Sequence, residues 1–235
     1  MINIGSTDFL ISVPSLSQDD FERYSTNLFD TWEMCVAQNL LLPDYAISLE
    51  VEEGSIKGAG KIGATLAALY FGIGQYGSFI SGLQTIGSQV SYASDALLES
   101  ARSPFGGSNV NAEGKKSRGS LSQLHKLFDK VQAGAMSPDE AMRKVEKIFG
   151  EEAITLPGFM HYLKSEFEKA PRHPKQLSLI DESLEACNPL HPPKKRSPCS
   201  PRPKPIPTSH QYRIEIWRES KKDEKKVKIT KRKGK

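Results

Sequence analysis

Cysteine is scarce in this chain. Cys35, Cys187 and Cys199 are the only three, an odd number without regular spacing. That excludes a disulfide-stapled scaffold and fits a reducing compartment, so a cytoplasmic setting is expected. The N-terminal stretch MINIGSTDFLISVPSLSQDD lacks a basic n-region and a sustained apolar core, so no secretory leader is expected. Catalytic signatures are missing too. The histidines at 125, 161, 173, 191 and 210 form no H-E-x-x-H pair, and no G-x-S-x-G elbow occurs. No catalytic residue, metal set or cofactor is therefore expected, and the reading leans away from an enzyme. Apolar residues make up 37% of the chain, against roughly 45–50% (Gly included) in an ordinary globular domain. Part of the chain is accordingly expected to stay unpacked.

Charge of one sign is missing locally rather than overall. Residues 1–102 carry four Lys/Arg against twelve Asp/Glu, a balance of −8, whereas residues 172–235 carry eighteen against seven, a balance of +11. An acidic front and a basic tail ask for a partner of either sign, and the tail can also serve as the front's own partner. Between Ile62 and Ser94 there is no charged residue at all.

What is present divides the chain into five parts of an α+β protein. Residues 1–102 form the first. Asp8–Val13 reads as a strand, and Ser17 caps a helix over about 18–40 whose stripe is Phe21, Tyr24, Leu28, Trp32 and Val36. Tyr45, Ile47, Leu49 and Val51 alternate as a half-buried strand. A Gly-rich apolar helix is expected over 61–83, followed by a further helical piece. Residues 103–119, SPFGGSNVNAEGKKSRG, read as a flexible linker. Residues 120–170 read as a three-helix module, opened by a Ser120–Gln123 capping box and then by Ser137-Pro138-Asp139-Glu140. Its first two helices resemble the small helical oligomerisation modules found at bacterial protein C-termini, a likeness that implies helical packing and no particular activity. Residues 171–210 are a Pro-rich linker. Residues 211–235 read as a small basic β-hairpin, marginal by itself.

The stretch after the second strand carries the main ambiguity. Gly58, Gly60 and Gly63 spell G-x-G-x-x-G, which cradles a pyrophosphate when it lies between a strand and a helix. The rest of that fingerprint is missing, because no acid or second strand follows within 62–94. A nucleotide-dependent enzyme built on Gly58–Gly63 therefore stands only as an outside alternative. The length also suits a bilayer span, so membrane association through 62–83 is an option, though the polar residues favour protein packing. On this reading Gly74, Ser78 and Gly82 form a small-residue row, and Leu69, Ile73, Tyr76, Ile80 and Leu83 line the opposite side of one helix. These residues are the expected packing, oligomer or membrane surface.

The tail supplies the second candidate surface. Tyr212, Trp217, Lys221, Lys222, Lys225, Lys226, Lys228, Lys231 and Arg232 could neutralise phosphates and stack on bases, or meet anionic lipid. Pro192–Pro198 (PPKKRSP) fits a nuclear-import pattern, Lys195-x-x-Pro198-x-x-Pro201 fits an SH3-ligand pattern, and Cys187, His191, Cys199 and His210 match no regular zinc spacing. The expected function is a non-enzymatic interaction or adaptor protein. It would self-associate through the Gly-rich helix and engage an acidic partner with its tail, with a membrane-perturbing effector as one version. The alternative is a nucleic-acid-binding accessory protein acting through the basic hairpin.

Overall fold

The computed structural model describes residues 1–106, 112–170 and 210–233. The elements run β1 (Ile2–Ile11), α1 (Gln18–Asn39), β2 (Ala46–Glu52), β3 (Ile56–Ala64), α2 (Leu66–Gly74), α3 (Phe79–Arg102), β4 (Ala112–Ser117), α4 (Gly119–Gln132), α5 (Pro138–Phe149), α6 (Glu152–Thr155), α7 (Pro157–Lys169), β5 (His210–Arg218) and β6 (Lys226–Lys233). The strands form one antiparallel sheet in the order β4-β1-β3-β2-β5-β6, and the chain is an α+β protein.

Helix α1 forms where its stripe predicts it. The Ser17 hydroxyl accepts from the Asp20 amide at 3.2 Å and donates to the Asp20 carboxylate at 2.7 Å, closing the first turn. Phe21, Tyr24, Leu28, Trp32 and Val36 are all buried. Two polar tips fix the helix against α3: the Trp32 indole donates to the Ala93 carbonyl at 3.0 Å, and the Tyr24 hydroxyl to the Ala101 carbonyl at 2.8 Å. Burial raises the Tyr24 phenol well above its ordinary range, so that donor stays protonated.

The expected single helix over 61–83 is not formed. Residues 56–64 are a strand, and the helix begins only at Leu66. The reason lies in a period of two that the glycines conceal. Ile56, Gly58, Gly60, Ile62 and Ala64 face the helices, while Lys57, Ala59, Lys61 and Gly63 alternate outward. With two glycines on the inner face, the strand looks apolar only in part. Both glycines make room for large side chains. Phe9, directly opposite Gly58, lies flat over it: a Cβ there would sit 2.5 Å from one ring edge carbon and closer to two other ring atoms. A Cβ on Gly60 would meet Trp32 at 3.1 Å and overlap Leu97. The G-x-G-x-x-G motif is thus a ladder strand, paired on both sides, and not a loop at a helix mouth.

The remaining apolar stretch breaks again at 75–78. Gly77 adopts φ +74°, and Ser78 caps α3 by accepting from the Ser81 amide at 3.2 Å. Helices α2 and α3 then fold back on each other. Gly82 allows this, since a Cβ there would lie 2.7 Å from the Ile73 carbonyl oxygen. Among the described residues no helix is long and apolar enough to cross a membrane.

Two further expectations change. The end of the expected linker is strand β4, which pairs with β1 from Ser6–Ser117 to Ile11–Ala112. The Ser120–Gln123 capping box is not made: Arg118 is the N-cap and makes no side-chain cap bond. Helices α4 and α7 lie on the Gly-rich stretch through aromatic contacts, and α5 packs on them in turn. Ring centroids are 5.2 Å apart for Tyr70–Phe159, 5.6 Å for Tyr70–Tyr162 and 6.1 Å for Phe79–Phe128. Their apolar faces join those of α1, α2 and α3 in one continuous core. The Pro-rich segment 171–209, with its import-like and SH3-ligand-like patterns and with Cys187, His191 and Cys199, lies outside the described residues.

Candidate binding face

The basic hairpin is the fifth and sixth strand of the sheet. β5 pairs with β2 from Ile47–Arg218 to Glu52–Arg213, and Ile214 and Ile216 are buried against the helices. Its charges meet the acidic front. Arg218 pairs with Glu33, and Lys225 lies 2.5 Å from Asp30, both on α1. The Asp44 carboxylate accepts from the Lys221 amide at 2.9 Å and from the Ser220 hydroxyl at 2.8 Å. Partial burial acts to raise the Asp44 carboxyl, but these bonds and the Tyr45 amide outweigh it and hold it below its ordinary value. The turn and strands of the basic hairpin thus meet acidic residues of the front within one chain.

Helices α1, α3 and α4 pack on one face of the sheet. Among the described residues nothing covers the other face. Outward residues there fall into rows, because the strands are in direct register. One row reads Lys115, Asp8, Ala59, Glu50, Glu215 and Lys228 from β4 across to β6. Glu50 and Glu215 stand directly opposite each other, a like-charge pair that would destabilise the ladder. Arg213 in the neighbouring row relieves it, with its guanidinium 2.7 Å from Glu50, 3.1 Å from Glu215 and 3.6 Å from Glu52.

The row on the other side reads Ser117, Ser6, Lys61, Ser48, Trp217 and Lys226. Each strand contributes one residue and none is acidic. Two recesses open beside it, of about 290 and 220 Å³, and both are lined by Ser48, Lys61 and Trp217, with Glu219 at the edge of the larger and Glu50 and Glu215 at the edge of the smaller. Lys61 is exposed and makes no ion pair among the described residues. Glu219 sits at the end of the row. Its carboxylate lies 2.9 Å from the Lys226 ammonium and accepts weakly from the Trp217 indole at 3.4 Å. Those two bonds and the Lys226 charge lower the Glu219 carboxyl, and Glu219 in turn raises Lys226.

The residues expected to bind an acidic partner are divided between the two faces. Trp217, Lys226 and Lys228 look outward, whereas Tyr212, Lys225 and Lys231 lie on the helix side. Lys231 stands 5.6 Å from the Tyr212 ring and Lys221 stands 5.7 Å from the Tyr45 ring. Lys222 is exposed, and the Arg232 side chain lies outside the described residues. Of the expected oligomer or membrane surface, Leu69, Ile73, Gly82 and Leu83 are buried within the chain, and Tyr76 and Ile80 are half-buried. Gly74 and Ser78 are exposed. The small-residue row is split between two helices, and its close approach is made inside the molecule.

Sequence reasoning missed Lys61, Ser48 and Ser6 as surface residues of one site. The outward alternation Lys57, Ala59, Lys61 was the available signal, masked by reading the glycines as a helix entry. A larger recess, about 450 Å³, lies between α1 and the end of α3, with Asp20, Glu99 and Arg23 at its rim. Its acids are already engaged, Asp20 by the Ser17 hydroxyl and Glu99 by Arg102, and the Tyr24 hydroxyl is bonded to the Ala101 carbonyl. Comparison of the chain with protein-family models, with curated proteins and with solved structures finds no match.

Proposed function

We propose that this chain is a non-enzymatic interaction protein that engages an acidic partner on the open face of its sheet, around Lys61 and Trp217. The observation that carries the reading is the acid-free row crossing all six strands, flanked by two recesses. Trp217 is a half-buried indole, the residue type most enriched among interface anchors, and shares both recesses with the ammonium-bearing Lys61. The test uses the full chain and three acidic polymers: poly-L-glutamate, heparin and single-stranded DNA. Binding of at least one polymer, lost in the Lys61→Glu/Trp217→Ala double variant, supports the site. Equal binding by the double variant places the acidic-partner surface elsewhere and overturns it.

A second reading keeps self-association but moves its surface. The outward side of α2 carries Ala67, Tyr70, Phe71 and Gly74 at helical spacing, and Phe71 is 66% exposed. A helix that stays apolar on its solvent side invites a partner. Two copies could pack Phe71 of one against Ala67 and Gly74 of the other. Sedimentation of the wild type against Phe71→Asp tests this: a mass above the monomer that falls in the variant supports it, and a monomer at all concentrations refutes it.

A further inference from the structure

We infer that the acidic partner of the open face is single-stranded nucleic acid, with a base stacked on Trp217 and adjoining phosphates on Lys61 and Lys226; this rests on the reading of that face as the binding surface. The argument is one of chemistry and dimension. An unpaired strand offers flat π-faces and evenly spaced negative charge, and platforms for it combine aromatic side chains with cations and tolerate any base. The row places one indole between two lysines, at the register positions Lys61–Ser48–Trp217–Lys226. The Ser48 and Ser6 hydroxyls make no hydrogen bond with the described residues and stand free to donate to phosphate oxygens. Six strands spaced about 4.8 Å apart give the row a length of roughly 24 Å, enough for the shortest of the roughly 4–16-nucleotide sites that single folds cover.

The charge pattern also sets the path. The neighbouring row holds Asp8, Glu50 and Glu215, whose charges are met by Lys115, Lys228 and Arg213 at its ends and side, so among the described residues of the two rows the cation left without an acidic partner lies in the acid-free row, at Lys61. An acidic polypeptide carries a planar ring only where an aromatic residue happens to fall, whereas every nucleotide of a single strand brings one. Glu219 acts against binding: it occupies Lys226 and lies beside the Trp217 indole, so a phosphate must displace it. This makes a gain of affinity available by mutation, which damage to the fold does not mimic.

The experiment follows Trp217 fluorescence of the full chain on titration with an oligothymidylate of about ten nucleotides, within the roughly 4–16-nucleotide range above. Trp32, the other tryptophan, is buried and serves as the unperturbed background. Saturable quenching is expected, with log affinity falling against log salt at a slope of about −0.7 to −1.4, the value for one or two phosphates on a single strand. Trp217→Ala, followed by fluorescence anisotropy of labelled DNA, should weaken binding about tenfold. Lys61→Glu should weaken it while leaving the melting temperature unchanged. Glu219→Gln should tighten it by about 2- to 5-fold, the range for releasing an exposed ion pair.

Equal affinity for a duplex of the same length overturns the inference, since stacked bases are then not read. Tight DNA binding indifferent to Trp217→Ala and Lys61→Glu also overturns it. If poly-L-glutamate or heparin binds in a Lys61-dependent way and the oligothymidylate does not, the open face stands as an acidic-partner site and the nucleic-acid assignment alone fails. If none of the polymers binds, both fall together.

Discussion

Gly58→Ala is a small change with a large expected effect, because of where Phe9 lies. The ring rests on the Gly58 backbone across the β1–β3 ladder and is 4% exposed. A new Cβ would sit 2.5 Å from its Cε2 and nearer to Cζ and Cε1, where ordinary contact begins near 3.4 Å. The ring cannot simply lift away, since it is packed in the core. Overpacking of this kind costs about 1–3 kcal/mol, offset by the roughly 0.5–1 kcal/mol that Ala gains over Gly inside a regular element. A net loss of about 1–2 kcal/mol should lower the melting temperature by about 2–8 °C in a chain of this size. Phe9→Ala alone should cost about 3–5 kcal/mol. The two changes share one space, so the double variant should be more stable than the sum of the singles by about 1 kcal/mol or more. Thermal or denaturant unfolding of the four proteins closes this cycle. Additive losses, or a Gly58→Ala variant as stable as the wild type, would refute the account of the motif as a strand whose glycine seats an aromatic ring.

Gly82→Leu should be costlier still, because its first new atom meets the Ile73 backbone, which has no rotamer to move; a chemical-denaturation midpoint equal to the wild type's counts against that close approach. Arg218→Ala leaves the Glu33 carboxylate without its partner and should cost about 1.5–3 kcal/mol, read as faster amide exchange in 210–218 and 226–233 than in β1 or β3. For pH, the folded-state value of Asp44 is depressed, so its contribution is complete above the ordinary carboxylate range and is lost as pH falls through its lowered value. Asp44→Asn should flatten that part of the stability–pH profile, and an unchanged acid limb would remove Asp44 as the latch of the 219–225 turn.

The sequence by itself determined the elements whose pattern is local. Ser17 and the stripe from Phe21 to Val36 set α1, because a cap and a 3.6-residue period need no distant partner. Ser137 with Pro138 set the start of α5, and the alternation of Ile47, Leu49 and Val51 set β2. The basic hairpin, too, was legible as a hairpin. Only the tertiary structure decided what these pieces face. Gly58 and Gly60 are a strand because Phe9, Leu97 and Trp32, distant in sequence, need the volume a side chain would take. Residues 112–117 carry no apolar alternation and become a strand only because β1 offers an open edge. Within the apolar stretch from Leu66 to Leu83, Leu66, Leu69, Ile73, Phe79 and Leu83 are buried inside the molecule, so on that side its hydrophobicity marks an internal contact, whereas Ala67, Phe71 and Gly74 stay on the outer side of α2. The acid-free row exists in no segment of the chain. Its six residues come from six strands, and hydrogen-bond register alone brings Lys61 and Trp217 to either side of Ser48.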